Sequence, residues 1–364
     1  MTKPLPLLSH MPWHIKAKIV DRMDLPTRLH FRITCKTHRE LVDKRPVQYE
    51  LIDVHTVFKN EFKMTVVDQF GVHLISYQQI ENRNLLQDAA RFLALILQNQ
   101  RTSVKKMDFF NHCNYEERRE NDNDFYEIDG RKDFLEEFKL VVCRFQHRLT
   151  VEMLIMESFV VQENLICLLQ YLEPGYLKSI VLVLDDGESL HRIVGLDQWR
   201  RAESITVWSP EGIRQIDISL HNHVELDGGS VSQDALRSTI KKMLLPTTIE
   251  KTLRLIFDDL EIDREGINQV IQSFNPIKAK NGYFIKMPDV GYLSISIGIN
   301  GGEMKLFMKV QLHPNQWPKN GILGIAEGYE EESDDEEESG GEEESSDEET
   351  DDEETDDEAE GLEN

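Results

Sequence analysis

The sequence predicts a mixed fold, α+β or α/β: a small block of three helices, a β/α domain and a disordered acidic tail. Three observations predict it. Apolar residues at helical spacing, interrupted by prolines, crowd the first 46 positions. Strand-like and helical segments then alternate through the middle of the chain, and the last 38 residues carry almost nothing apolar. At 364 residues the chain is too long for one small core, so more than one folded unit is expected.

The helical block spans 5–46. Ile15, Ile19, Val20 and Met23 fall on one helix face. Pro12 suits the first turn, where a missing N–H costs nothing, and Asp24-Leu25-Pro26 breaks the pattern and restarts it. Leu25, Leu29 and Ile33 then stack at intervals of four. A third helix, Cys35 to Asp43, carries His38, Leu41 and Val42 before Pro46 ends it. These apolar residues are too many for one internal seam of three short helices, so the block docks either on the following domain or on another protein.

A connecting region, 47–135, follows. "YELIDV", "FKMTVVDQF" and "GVHLISY" are rich in the residues that favour strands. "LLQDAARFLALILQNQ" (85–100) places Leu86, Ala90, Leu93, Ala94 and Leu97 on one helical stripe. "SVKKMDFF" reads as a strand, and the polar stretch 111–133 as a long loop. The β/α domain, 136–312, repeats a motif: strand 149–156, helix 164–172, strand 177–184, helix 188–202, strand 203–209. That spacing suits right-handed crossovers in a parallel sheet. It also matches the period of leucine-rich repeats, so a curved, leucine-rich-repeat-like domain is expected, although the consensus asparagine and leucine ladder are missing. Segments 252–262, 282–287, 291–299 and 304–312 extend the sheet, the last two as a hairpin with an Asn-Gly turn.

The formal charge of −26 is unevenly spread. Residues 327–364 hold 24 Asp or Glu and no Lys or Arg, leaving 43 acidic and 41 basic side chains elsewhere, a net of −2. The folded part therefore has no basic field to attract nucleic acid or anionic lipid. The tail cannot bury enough surface to offset its ordering entropy and is expected to be disordered. Ser333, Ser339, Ser345, Ser346, Thr350 and Thr355 each have an acid three positions later, the preference of acidophilic kinases. Alone, the tail would also suit an acidic histone or chromatin chaperone. The four cysteines are scattered, which fits a reducing compartment. No signal-like or spanning apolar run occurs, so a soluble chain of the cytoplasm or nucleus is expected.

Catalytic signatures are not evident. His10 and His14 are separated by Pro12, which spoils a shared helix face, and His112 and Cys113 are adjacent rather than spaced for coordination. "HNHVELDGG" (221–229) offers His221, His223, Glu225 and Asp227 in alternation, but its Gly-Gly and lone Asp favour a solvated loop over a metal site. Nucleotide-binding glycine loops and a nucleophile elbow are missing. Trp199, beside Arg200 and Arg201, is expected to pack in the core, with an exposed recognition cluster as the other reading. No catalytic, metal or cofactor residue is assigned, and an enzyme is not expected.

"MPWHIKAKIVDRMDLPTRLHFRITCKTHREL" resembles an F-box: Met11-Pro12 stands where that family has Leu-Pro, followed by Ile15, Ile19, the Leu25-Pro26 break and Arg32-Ile33-Thr34-Cys35-Lys36. Downstream, "LLQYLEPGYLKSI" (168–180) and "LDQWRRAESITV" (196–207) resemble segments of the FTH domain of nematode-expanded F-box A proteins. The resemblance implies a substrate-recruiting adaptor of a Skp-cullin-F-box type ubiquitin ligase. The Skp-family adaptor would contact Met11, Pro12, Ile15, Ile19, Met23, Leu25, Pro26, Leu29, Ile33 and Lys36, while the FTH-like domain holds an unknown target protein.

Overall fold

The computed structural model describes residues 11–57, 61–78, 84–99, 101–109, 129–156, 162–184, 190–208, 217, 220–228, 231–245, 250–257, 264–279, 282–287, 291–300 and 303–311. All belong to one compact unit, Met1–Leu323. The expectations for the tail, for its six candidate phosphorylation sites, for His10 and for His112-Cys113 lie outside the described residues.

The described residues begin with three short helices: α1 (Trp13–Val20), α2 (Leu25–Thr34) and α3 (Lys36–Asp43). Among the described residues thirteen strands form a single sheet. Its first three, β1 (Val47–Val57), β2 (Glu61–Asp68) and β3 (Gly71–Gln78), are joined antiparallel at one end. Helix α4 (Leu85–Leu97) then returns the chain so that β4 (Thr102–Phe109) lies parallel to β1. From there the strands follow one another in chain order, all parallel: β5 (Thr150–Met156), β6 (Ser179–Val183), β7 (Ser204–Trp208), β8 (His223–Asp227) and β9 (Thr252–Phe257). The helices α5 (Asp129–Val142), α6 (Gln162–Tyr171), α7 (Asp197–Arg201) and α8 (Gln233–Met243) fall between them. Helix α9 (Arg264–Gln272) leads to the antiparallel end, β10 (Ile277–Ala279), β11 (Gly282–Met287), β12 (Gly291–Asn300) and β13 (Glu303–Gln311). There β13 pairs with β9, and β10 forms the far edge.

One row of side chains shows why this sequence makes one sheet. Reading across the strand registers, Val66, Ile52, Met107, Leu154, Ile180, Ile205, Val224, Leu253, Met308 and Ile295 stand side by side, none more than 1% exposed. Each of these ten strands contributes one β-branched or long aliphatic residue to this row, at roughly 1.5–3 kcal/mol per fully buried side chain. The helices supply the other half of the core through Leu93, Phe138, Leu169, Trp199, Ile240 and Val270. On the other sheet face, Thr206, Glu225 and Arg254 are only half-buried.

Several elements differ from the sequence expectations. Residues 223–227 form β8 rather than a solvated loop, because Val224 and Leu226 suffice to bury one face. Helix α5 begins at Asp129, inside the stretch expected to be loop, and buries Phe134, Leu135, Phe138 and Val142. The helix expected over 188–202 is instead a 3₁₀ turn, Leu190–Arg192, and the short α7.

Candidate partner-binding surface

The helical block has its own small core of Ala17, Val20, Leu41 and Val42, with Met23 and Phe31 packed against it. Local chemistry fixes the helix ends. Pro12 is the N-cap of α1. The Asp24 carboxylate accepts from the Thr27 amide at 2.9 Å and caps α2, with Pro26 in its first turn. Hydrogen bonding from Thr27, through its side chain first and its amide second, holds the Asp24 carboxyl below its ordinary pKa. Phe31 stacks on His38 with ring centroids 3.9 Å apart, and Arg32 forks onto Asp43 at 2.7 and 3.2 Å. Arg45 bonds Asp21 through both carboxylate oxygens.

The block is anchored to the sheet along one side. Leu25 belongs to the main core, and Leu29 packs against it. Arg28 is buried, donates to the Val20 carbonyl at 3.1 Å, and shares a cleft with Asp68, Gln69, Phe70 and Arg101. Asn99 donates to the Arg45 carbonyl at 2.7 Å, Arg101 to that of Lys44 at 3.2 Å, and Gln69 to that of Asp21 at 3.3 Å.

These anchors divide the ten residues expected at the adaptor. Pro12, Ile15, Pro26, Ile33 and Lys36 are exposed, while Met11, Ile19, Met23 and Leu29 are half-buried. Leu25 departs from expectation: at 3% exposure it is spent on the chain's own core and offers no surface. Trp13, which sequence reasoning passed over, is 49% exposed, with the Lys44 ammonium 5.7 Å from its ring centroid. A Trp at the first position of a short helix, straight after its N-cap proline, was the signal for it.

In the β/α domain the segments that carried the family likeness turn out to be structural. Trp199 is buried with its ring edge-on to His221, centroids 6.0 Å apart. Gln198 is buried beside it and donates to the Leu172 carbonyl at 2.9 Å. Arg200 and Arg201 stay exposed, so the Trp-Arg recognition cluster does not form. Of the four residues weighed as metal ligands, His223 and Glu225 approach each other at 3.9 Å, but both are already engaged with other partners. His221 is buried and bonds Ala202, His223 bonds Thr252 at 2.5 Å, and Glu225 pairs with Arg254 at 3.0 Å. Among the described residues, no group of three or more His, Cys, Asp or Glu could hold a metal ion. No described helix is long and apolar enough to cross a membrane.

Comparison with known protein families agrees with this division. Residues 8–48 match the F-box domain, and residues 132–277 match the FTH domain. None of the curated proteins compared with the chain matches it. The helices α1 to α3 fall within the first match, and α5 to α9 with β5 to β9 fall mostly or wholly within the second. The chain belongs to the proteins that join an F-box to an FTH domain.

Proposed function

We propose that this protein is the substrate-recruiting adaptor of a Skp-cullin-F-box type ubiquitin ligase. The F-box domain supports an adaptor role in a ubiquitin ligase complex. The observation that carries the finer reading is the helical block itself. It is anchored to its own sheet on the Leu25 side, yet leaves Trp13, Ile15 and Ile33 to solvent. Large apolar side chains held rigidly in the open are what a helix-binding groove selects. The Skp-family adaptor would take this surface, and the FTH domain would hold the target. No bond chemistry is assigned to either domain, since both are adaptor-type folds. The chain would work by raising the effective concentration of target beside the ligase.

Co-expression with a Skp-family adaptor tests this directly. The wild-type chain should co-purify with it in a defined ratio, and Trp13→Ala combined with Ile15→Asp should abolish the association without lowering the melting temperature. Failure of the wild type to bind, or retention by the double variant, would refute the reading.

A further inference from the structure

The sheet has two outer edges, and they are built differently. At one end β10 is three residues long, follows Pro276, contains Lys278, and starts just after Asn275, which has a positive φ of 52°. Shortness, proline and lysine are the devices that stop an edge strand from pairing with a foreign chain. At the other end β3 has none of them. It runs eight residues, Gly71–Gln78, with no proline and no Asp, Glu, Lys or Arg. Val72 is 70% and Leu74 68% exposed, on the face that also shows Ser76. Its one imidazole, His73, is turned inward onto the Asp68 carboxylate at 3.1 Å. Among the described residues no strand pairs with its outer side.

We propose that the open edge of β3 is a docking strand for an extended, uncharged segment of a partner protein, which adds to the sheet by main-chain pairing. The neighbouring side chains define that segment. On one face an added strand would lay alternate residues beside Val72 and Leu74. On the other it would meet half-buried Ile75 and Tyr77, where Tyr77 sits edge-on to Phe92 of α4 with centroids 5.6 Å apart. Both faces ask for apolar residues, and the strand offers no charge to pair with an ionised one. A second copy of this chain is the poorer occupant. Pairing of β3 with itself joins eight residues a side, far fewer than the roughly 20–30 a side of a stable interface. A short peptide needs no such area, because the ladder itself supplies affinity and alternate side chains supply specificity. β3 lies between the F-box and FTH matches, so this would be a recognition element apart from both.

Short random peptides displayed on phage, selected against the full chain and resynthesised, provide the probe. The enriched peptides should carry alternating apolar residues and few charges. Val72→Lys with Leu74→Lys should weaken them at least about tenfold, which is about 1.4 kcal/mol. Methylating alternate backbone nitrogens of the peptide should abolish binding while leaving the protein untouched, so a folding defect in the lysine variant cannot mimic the result. Failure to enrich such peptides, or binding unaffected by either change, overturns the proposal. So does a dimer of the chain alone, seen by sedimentation, that the lysine pair splits, because the occupant would then be a second copy. None of these readouts involves the Skp-family adaptor, so they stand or fall apart from the F-box reading.

Discussion

Nε2 of Gln198 donates to the carbonyl oxygen of Leu172 at 2.9 Å and so joins two stretches 26 residues apart. Leu172 follows directly on α6, where the carbonyls at the helix end have no partner of their own. The same region is pinned by Leu149, whose amide donates to the Tyr171 carbonyl at 2.7 Å. A glutamine at the head of α7 thereby closes the end of α6 and sets the spacing of one crossover on the next.

Gln198→Ala should cost about 1–3 kcal/mol, the penalty for leaving a buried carbonyl without its donor. Urea unfolding followed by tryptophan fluorescence would show a lower midpoint with an unchanged slope. Because Gln198 lies in the FTH-matched segment, binding of the F-box to its adaptor should not change.

The parallel sheet was legible because each strand had only to carry apolar residues at alternate positions. β8 was misread for the same reason: the lone Asp227 and the Gly-Gly after it suggested a solvated loop, yet only Val224 and Leu226 needed to be apolar. Helix α9 was overlooked although Ile267, Val270 and Ile271 have helical spacing, since its polar residues dominate the stretch. The binding surface was less legible. Leu25, Leu29 and Ile33 form one stripe of α2, but their exposure runs from 3% through partial to 64% as the helix leaves the sheet. Periodicity says which residues share a face, and only the tertiary structure says how far along that face the covering element reaches.

His221 predicts a pH dependence. It is buried, its Nδ1 donates to the Ala202 carbonyl at 2.9 Å, and among the described residues its Nε2 has no hydrogen-bond partner. The edge of Trp199 faces it, with Asp217 and Lys251 as the charged groups that act on it. Burial, the largest influence, pushes its pKa below the ordinary value of 6.5. The unfolded chain therefore takes up the proton first, and stability declines as pH falls below about 6.5 toward the folded pKa. His221→Asn retains an N–H donor and removes the titration. Urea midpoints at pH 7 and pH 5, with the wild type losing more than the variant, would check this (the pH values being roughly those that bracket an unperturbed histidine). An equal loss in both would rule out His221 as the source.

The division of the helical block into a buried side and an open side makes the sharpest prediction. Leu25→Ala removes a side chain from the main core and should destabilise the chain by about 2–5 kcal/mol, while the folded fraction binds a Skp-family adaptor with nearly its original affinity. Trp13→Ala and Ile33→Asp act at exposed positions and should shift stability by no more than about 0.5 kcal/mol. Each should nevertheless weaken adaptor binding by about 2 kcal/mol or more, roughly thirtyfold, if these side chains are anchors of the interface. Calorimetric titration with the purified adaptor and urea unfolding of the same three variants separate the two effects. A pattern in which Leu25→Ala loses affinity and Ile33→Asp does not would mean that α2 leaves the sheet when the adaptor binds. The apolar stripe of α2 would then be shared in time between two partners, where the structure divides it in space.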